Sequence, residues 1–168
     1  MTDPADTREY DAFIDSLTEF LHREIDDYVA EQKIDPLIGV FGPMMAAGVL
    51  SMTHSLVEIF IRIAEILSRE RDSITETCSM THPQQPAPVA TTAQTNDSVG
   101  LGRHLNAVVR TRCESQGYGP EPALVALLTV SLEQAGTIGH LAAFYNGLGK
   151  MLEGQYGLLA AQPGKHTH

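Results

Sequence analysis

The sequence predicts an all-α protein, a four-helix bundle-like arrangement of two helical hairpins joined by a flexible Pro/Gln/Thr-rich linker. Three observations carry this. Apolar residues recur at three- and four-residue steps in four separate runs, each run opens on a capping or proline signal, and an almost uncharged stretch without apolar period divides the second run from the third. The predicted organisation is an N-terminal hairpin over residues 1–76, a linker over 77–97, a C-terminal hairpin over 98–160 completing the same bundle, and a loose tail over 161–168.

The first helix is signalled by Asp3 as N-cap, Pro4 at the first helical position and Asp6 in the first turn, which complement the free N–H groups there. It is predicted to reach about Lys33, with Tyr10, Phe13, Leu17, Leu21, Ile25 and Tyr28 on one face and Asp11, Asp15, Glu19, Asp26 and Asp27 off it. Asp35-Pro36 opens the second helix after a tight turn, so these two helices should pack antiparallel. That helix is predicted to run to about Ser73, kinked at Gly42-Pro43 or regular only from Met44. Its apolar face, including Phe41, Met45, Val49, Met52, Leu56, Phe60 and Ile63, is broad enough to need neighbours on several sides.

Residues 77–97, TCSMTHPQQPAPVATTAQTND, have the composition of a flexible tether. A third helix should follow from about Ser98 to Ser115, with Leu101, Leu105, Val108 and Val109 buried and Gly117 as its stop. Gly119-Pro120-Glu121-Pro122 starts the fourth, expected to continue unbroken to about Leu159.

A chain of 168 residues is long enough for one core and short for two domains. Of the formal charge of −10, residues 1–35 hold −8. So acidic a first helix repels phosphate and excludes nucleic acid, and it is the face on which a basic protein partner would dock. The N-terminus has no basic start or apolar run, so the cytoplasm is the expected compartment, and Cys78 and Cys113 read as free thiols.

The most informative pattern is a row of small residues every four positions: Ser131, Ala135, Gly139, Ala143 and Gly147 on the fourth helix, with Ala47, Ser51 and Ser55 on the second. Small side chains on an i±4 ridge let two backbones approach closely, within the chain or across an oligomer seam. Each Gly costs a helix about 1 kcal/mol relative to Ala, which close packing must offset.

Three polar residues intrude on apolar faces: Glu24 on the first helix, and Gln134 and His140 on the fourth. A buried Glu24 would need a partner such as Arg110 or Arg112, or a raised pKa. Glu19-Phe-Leu-His22 has the Glu-x-x-His spacing of carboxylate-bridged metal bundles, with His54, Glu58, Glu133 and His140 as further candidates. Helical phase turns Glu19 away from the apolar stripe, and no second Glu-x-x-His occurs, so no metal or cofactor is expected. Glu58/Arg62 and Glu65/Arg69 read as i,i+4 pairs on a solvated face.

No catalytic arrangement is legible: Cys113 has no partner by spacing, and neither a GxSxG nor a phosphate loop is present. The functional expectation is a non-enzymatic helical interaction or assembly protein forming a homo-oligomer through its apolar and small-residue faces. Leu37 to Val57 is 21 residues without a charged side chain, so a membrane-embedded or membrane-peripheral protein, placed at an inner membrane, is the alternative. A metal- or ligand-binding bundle is the third reading.

Overall fold

The computed structural model describes residues 4–161; the Asp3 cap and the tail beyond 161 lie outside them. These residues form α1 (Pro4–Gln32), α2 (Ile38–Thr53), α3 (Val57–Arg69), α4 (Arg71–Ser79), α5 (Thr92–Ser115), α6 (Glu121–Ile138) and α7 (Leu141–Ala160). The chain is all-helical among the described residues, but the second and fourth expected helices are each broken.

The breaks at 54–56 and at 139–140 share one mechanism, whereas the break at Glu70 between α3 and α4 keeps an ordinary φ of −89°. Four described residues have φ in the left-handed region: Lys33, Ser55, Gly117 and Gly139. Each ends a helix, and the residue after it donates its N–H five residues back: Ile34 to Val29, Leu56 to Ser51, Tyr118 to Cys113 and His140 to Ala135. This is the Schellman turn, in which one αL residue lets the next N–H satisfy a free helix carbonyl. At Ser55 (φ 56) a residue other than glycine takes that position, and the turn swings Leu56 into the core. Ser51 and Thr53 prepare the stop by bonding the carbonyls of Gly48 and Val49 with their own hydroxyls. At Gly139 (φ 79) the turn separates α6 from α7, so the ridge expected from Ser131 to Gly147 is not continuous.

The break at 54–56 also decides the membrane question for this segment. The 16 residues of α2 rise only about 24 Å, short of a hydrocarbon core of about 30 Å. No helix among the described residues is long and apolar enough to cross a membrane.

α2 is the central element. It packs against α5 and α6 most extensively and also touches α1, α3 and α7, while α1 lies across α5 and α6. Glycines set the close approaches: a Cβ at Gly42 would lie 2.6 Å from the Leu101 side chain, and one at Gly102 would lie 3.2 Å from the Gly42 carbonyl. Pro43 sits inside α2, which is already helical from Ile38, so regular helix does not wait for Met44. Leu17, Leu21, Ile25, Ile38, Leu101, Leu105, Leu124, Leu127 and Phe144 are fully buried around it, each contributing about 1.5–3 kcal/mol.

The segment between α4 and α5 is shorter than the sequence suggests, because α4 reaches Ser79 and α5 begins at Thr92 instead of Ser98. Thr91 and Gln94 form a reciprocal capping box that starts α5 early. Residues 80–91 then cross the α6/α7 break as a strap. The Gln84 amide donates to Gly136 O (3.3 Å), its carbonyl accepts from Leu141 N (3.1 Å), and Gln85 N donates to Gly139 O (2.8 Å).

Candidate functional site

The apolar face of α2 that remains uncovered points out between α5 and α7. Met45, Val49 and Met52 follow one another at i, i+4 and i+7 and so share one face of α2; Met45 lines a cavity against α5 and α7, and the trough continues along that face over Val49 and Met52. Val49 and Met52 are 50% and 52% exposed, neighbouring apolar side chains one turn apart on this face. On α7, Ala143, Gly147 and Lys150 border the cavity side, and Leu158, further along the helix, is 41% exposed. α7 is held against α2 at Ser51, whose buried hydroxyl donates to Gly48 O (2.8 Å) and lies 3.3 Å from the Gln155 side-chain amide.

The strap roofs the N-terminal half of this trough. Between α2, α5, α7 and residues 87–90 lies a cavity of about 560 Å³, floored by Phe41, Met44 and Met45. The C-terminal half, over Val49 and Met52, has no strap above it.

The small residues singled out from sequence fall in three places. Ala47, Ser51, Ser131, Ala135 and Ala143 are buried within the chain's own core. Ser131 shows why: its hydroxyl donates to Val40 O at 2.6 Å, where α6 crosses α2, so the ridge is used for an internal crossing. Ser55 and Gly139 are the left-handed helix ends already described, and Gly147 borders the cavity.

The polar intrusions join helices. Glu24 is half-buried, and His104 Nε2 donates to its Oε2 at 2.9 Å, not Arg110 or Arg112. The antiparallel register of α1 and α5 explains the correction. Tyr28 stacks on His104 while Arg112 lies 3.9 Å over the Phe20 ring, so Arg112 is two turns, about 12 Å, further along. Gln134 donates to His22 Nδ1 (3.0 Å) and Asp26 Oδ1 (3.2 Å), and His22 Nε2 donates to Glu133 Oε2 (2.5 Å). Both His–Glu contacts found among the described residues therefore fasten α1 to the helices it crosses. His140 precedes α7, and its buried Nδ1 has no partner.

The metal constellation is not assembled. Glu133 does meet His22, but Glu19, His54 and Glu58 are all exposed, and His140 opens α7 at the far end of the break. Among the described residues no three His, Cys, Asp or Glu side chains converge to hold a metal ion. A shallower cleft beside His22 also exposes Cys78 and His82, yet no hydrogen bond joins that thiol to either imidazole. Cys113 is buried and its thiol is pushed up by desolvation, the reverse of what a nucleophile needs. Nor do the expected Glu58/Arg62 and Glu65/Arg69 pairs close: the Glu65 carboxylate accepts from Tyr156 OH, and Arg69 reaches only the Glu65 carbonyl. On α1, Asp11, Asp15, Glu19, Asp26 and Asp27 are exposed.

Sequence reasoning missed the trough. Its lining was visible as Met44-Met45, Val49 and Met52, but the strap that roofs it was read as a free tether. No protein family model, curated protein or solved structure matches this chain.

Proposed function

We propose that this chain is a non-enzymatic helical interaction protein that assembles with a second copy of itself through the open half of the α2 trough. The observation that carries the reading is the exposed pair Val49 and Met52, one turn apart on the same face of α2. Such a row is self-complementary under a two-fold axis: each copy lays its own apolar ridge into the trough of the other. Methionine suits such a surface, since its flexible thioether adapts to irregular partners.

In this reading α1, α2, α5 and α6 are a four-helix unit in which α2 packs on α5 and α6 and α1 on their other side, and α3, α4 and α7 are additions that leave one side of α2 uncovered. The small-residue ridges hold the unit together, and the seam between copies lies beside them. The proposal places the protein in the cytoplasm.

Light scattering of the eluting species tests it directly. The unaltered chain should elute at twice the mass of 18.2 kDa. Replacing Val49→Lys and Met52→Lys together should give the single mass with unchanged helical circular dichroism, because both side chains are already half in water. A unaltered chain that stays at single mass up to about 100 μM, a range that covers ordinary transient association, overturns the assembly.

A further inference from the structure

The roofed half of the trough has the size and chemistry of a small-molecule site. Its volume of about 560 Å³ falls within the usual range for such pockets, which pair an apolar lining with a few placed polar groups. The apolar part comes from Phe41, Met44, Met45 and Met151, and Pro88 and Val89 of the strap line its outer side. The space exists because α7 carries Ala143 and Gly147 where it passes α2; a Cβ at Gly147 would sit 2.8 Å from Met44 Sδ.

The polar lining comes from both helices: Thr95 and Ser98 on α5 bond back to carbonyls of their own helix, which leaves Asn146 and Lys150 on α7 as the polar side chains free to meet a ligand. Asn146 and Lys150 stand one turn apart on α7, so both reach the same point at the rim. Among the described residues Lys150 is the one charged side chain lining the cavity; it stands exposed at the mouth and forms no ion pair there.

The geometry points to a binding site for a small amphipathic anion: a monocarboxylate whose headgroup accepts from Lys150 Nζ and the Asn146 amide, and whose apolar body lies on Met44 and Met45 beneath the strap. A cation meets Lys150 with repulsion. A neutral chain of equal length gains the apolar contact without the charge-assisted bond. Entry needs only the middle of the strap to lift, since its ends are held by Gln84 and Gln85 on one side and by the Thr91 capping box on the other. Every residue involved belongs to one copy, so the site does not depend on assembly.

Titration calorimetry of the full chain with octanoate, 1-octanol and octylammonium tests the assignment. Octanoate should bind one per chain, 1-octanol on the order of tenfold more weakly, and octylammonium more weakly again. Lys150→Gln should bring octanoate down to the level of 1-octanol and leave 1-octanol unchanged. Gly147→Leu fills the cavity from α7, and Thr95→Trp fills it from the exposed rim of α5, where folding is not at risk; both should abolish binding of all three. Val49→Lys should leave octanoate affinity intact, which separates this site from the assembly seam. Absence of octanoate binding, equal affinity for octanoate and octylammonium, or undiminished binding by a folded Thr95→Trp chain each overturns the inference.

Discussion

Gly139→Ala should be among the most destabilising single-methyl additions in this chain, and Gly117→Ala shows how much of its cost is steric. Both glycines close a Schellman turn at nearly the same φ, 79° and 75°. An alanine in the left-handed region costs about 1–2 kcal/mol, of which the stiffer unfolded chain returns about 0.4–1, so backbone conformation alone predicts about 1 kcal/mol for each. The surroundings differ. At Gly117 no atom lies within 4 Å of the added Cβ, whereas at Gly139 the Pro83 carbonyl oxygen lies at 2.5 Å, against 3.4–4 Å for ordinary contact. The strap must therefore move by most of an ångström, which breaks the bond from Gln85 N to Gly139 O (2.8 Å) and strains those of Gln84. At about 1 kcal/mol for each bond lost, Gly139→Ala should cost about 3 kcal/mol in total. Urea denaturation with linear extrapolation resolves a difference of that size, and amide exchange locates it: Gln85 and Leu141 lose protection in Gly139→Ala alone. Equal destabilisation by the two substitutions, with Gln85 still protected, refutes the reasoning and with it the role of the strap as a pinned roof.

Tyr145→Phe should leave stability unchanged or raise it by about 1 kcal/mol at neutral pH, because the Tyr145 hydroxyl is buried without a partner. Desolvation pushes that phenol up to about 12, above the ordinary 10, so its contribution is whole below pH 10 and is lost as the pH climbs through 12; a pH series of urea melts should show this decline in the parent and lose it in Tyr145→Phe. Ser55→Gly should stabilise by about 0.5 kcal/mol in thermal melts, since glycine takes φ 56 without strain while giving back some unfolded-chain entropy. Ser131→Ala removes the bond to Val40 O at the α2/α6 crossing and should cost about 1–2 kcal/mol in the same assay.

Which parts of the fold were legible follows from which signals were local. The long amphipathic faces of α1 and α5 identified both helices, and Gly117 marked the end of α5 as expected, because a glycine following an apolar period has few other meanings. The break after α2 was hidden because Ser55 supplies the left-handed residue, and a serine there is chemically indistinct from one inside a helix. The break after α6 was visible but misassigned: Gly139 fell in step with Ser131, Ala135 and Ala143, and the four-residue period made a helix terminator look like a packing residue. The early start of α5 was likewise written in Thr91-x-x-Gln94, a capping box masked by the low-complexity stretch around it.

The candidate site was harder to read, since it depends on which helix faces the rest of the chain leaves uncovered. Small residues at four-residue spacing correctly announce a close approach, but Ser131 is bonded to Val40 and Ala47 and Ala135 are fully buried, so the approach is internal. What lies outside is set by subtraction. α2 needs neighbours around most of its circumference, and α5, α6 and α7 cover it except along Met45, Val49 and Met52. The strap covers the first of these because Gln84 and Gln85 tie it across the Gly139 turn, and it stops short of the other two. A roofed cavity and an open apolar row are therefore consequences of the same turn. A single substitution at Gly139 that frees the strap should lengthen the open row at the expense of the cavity.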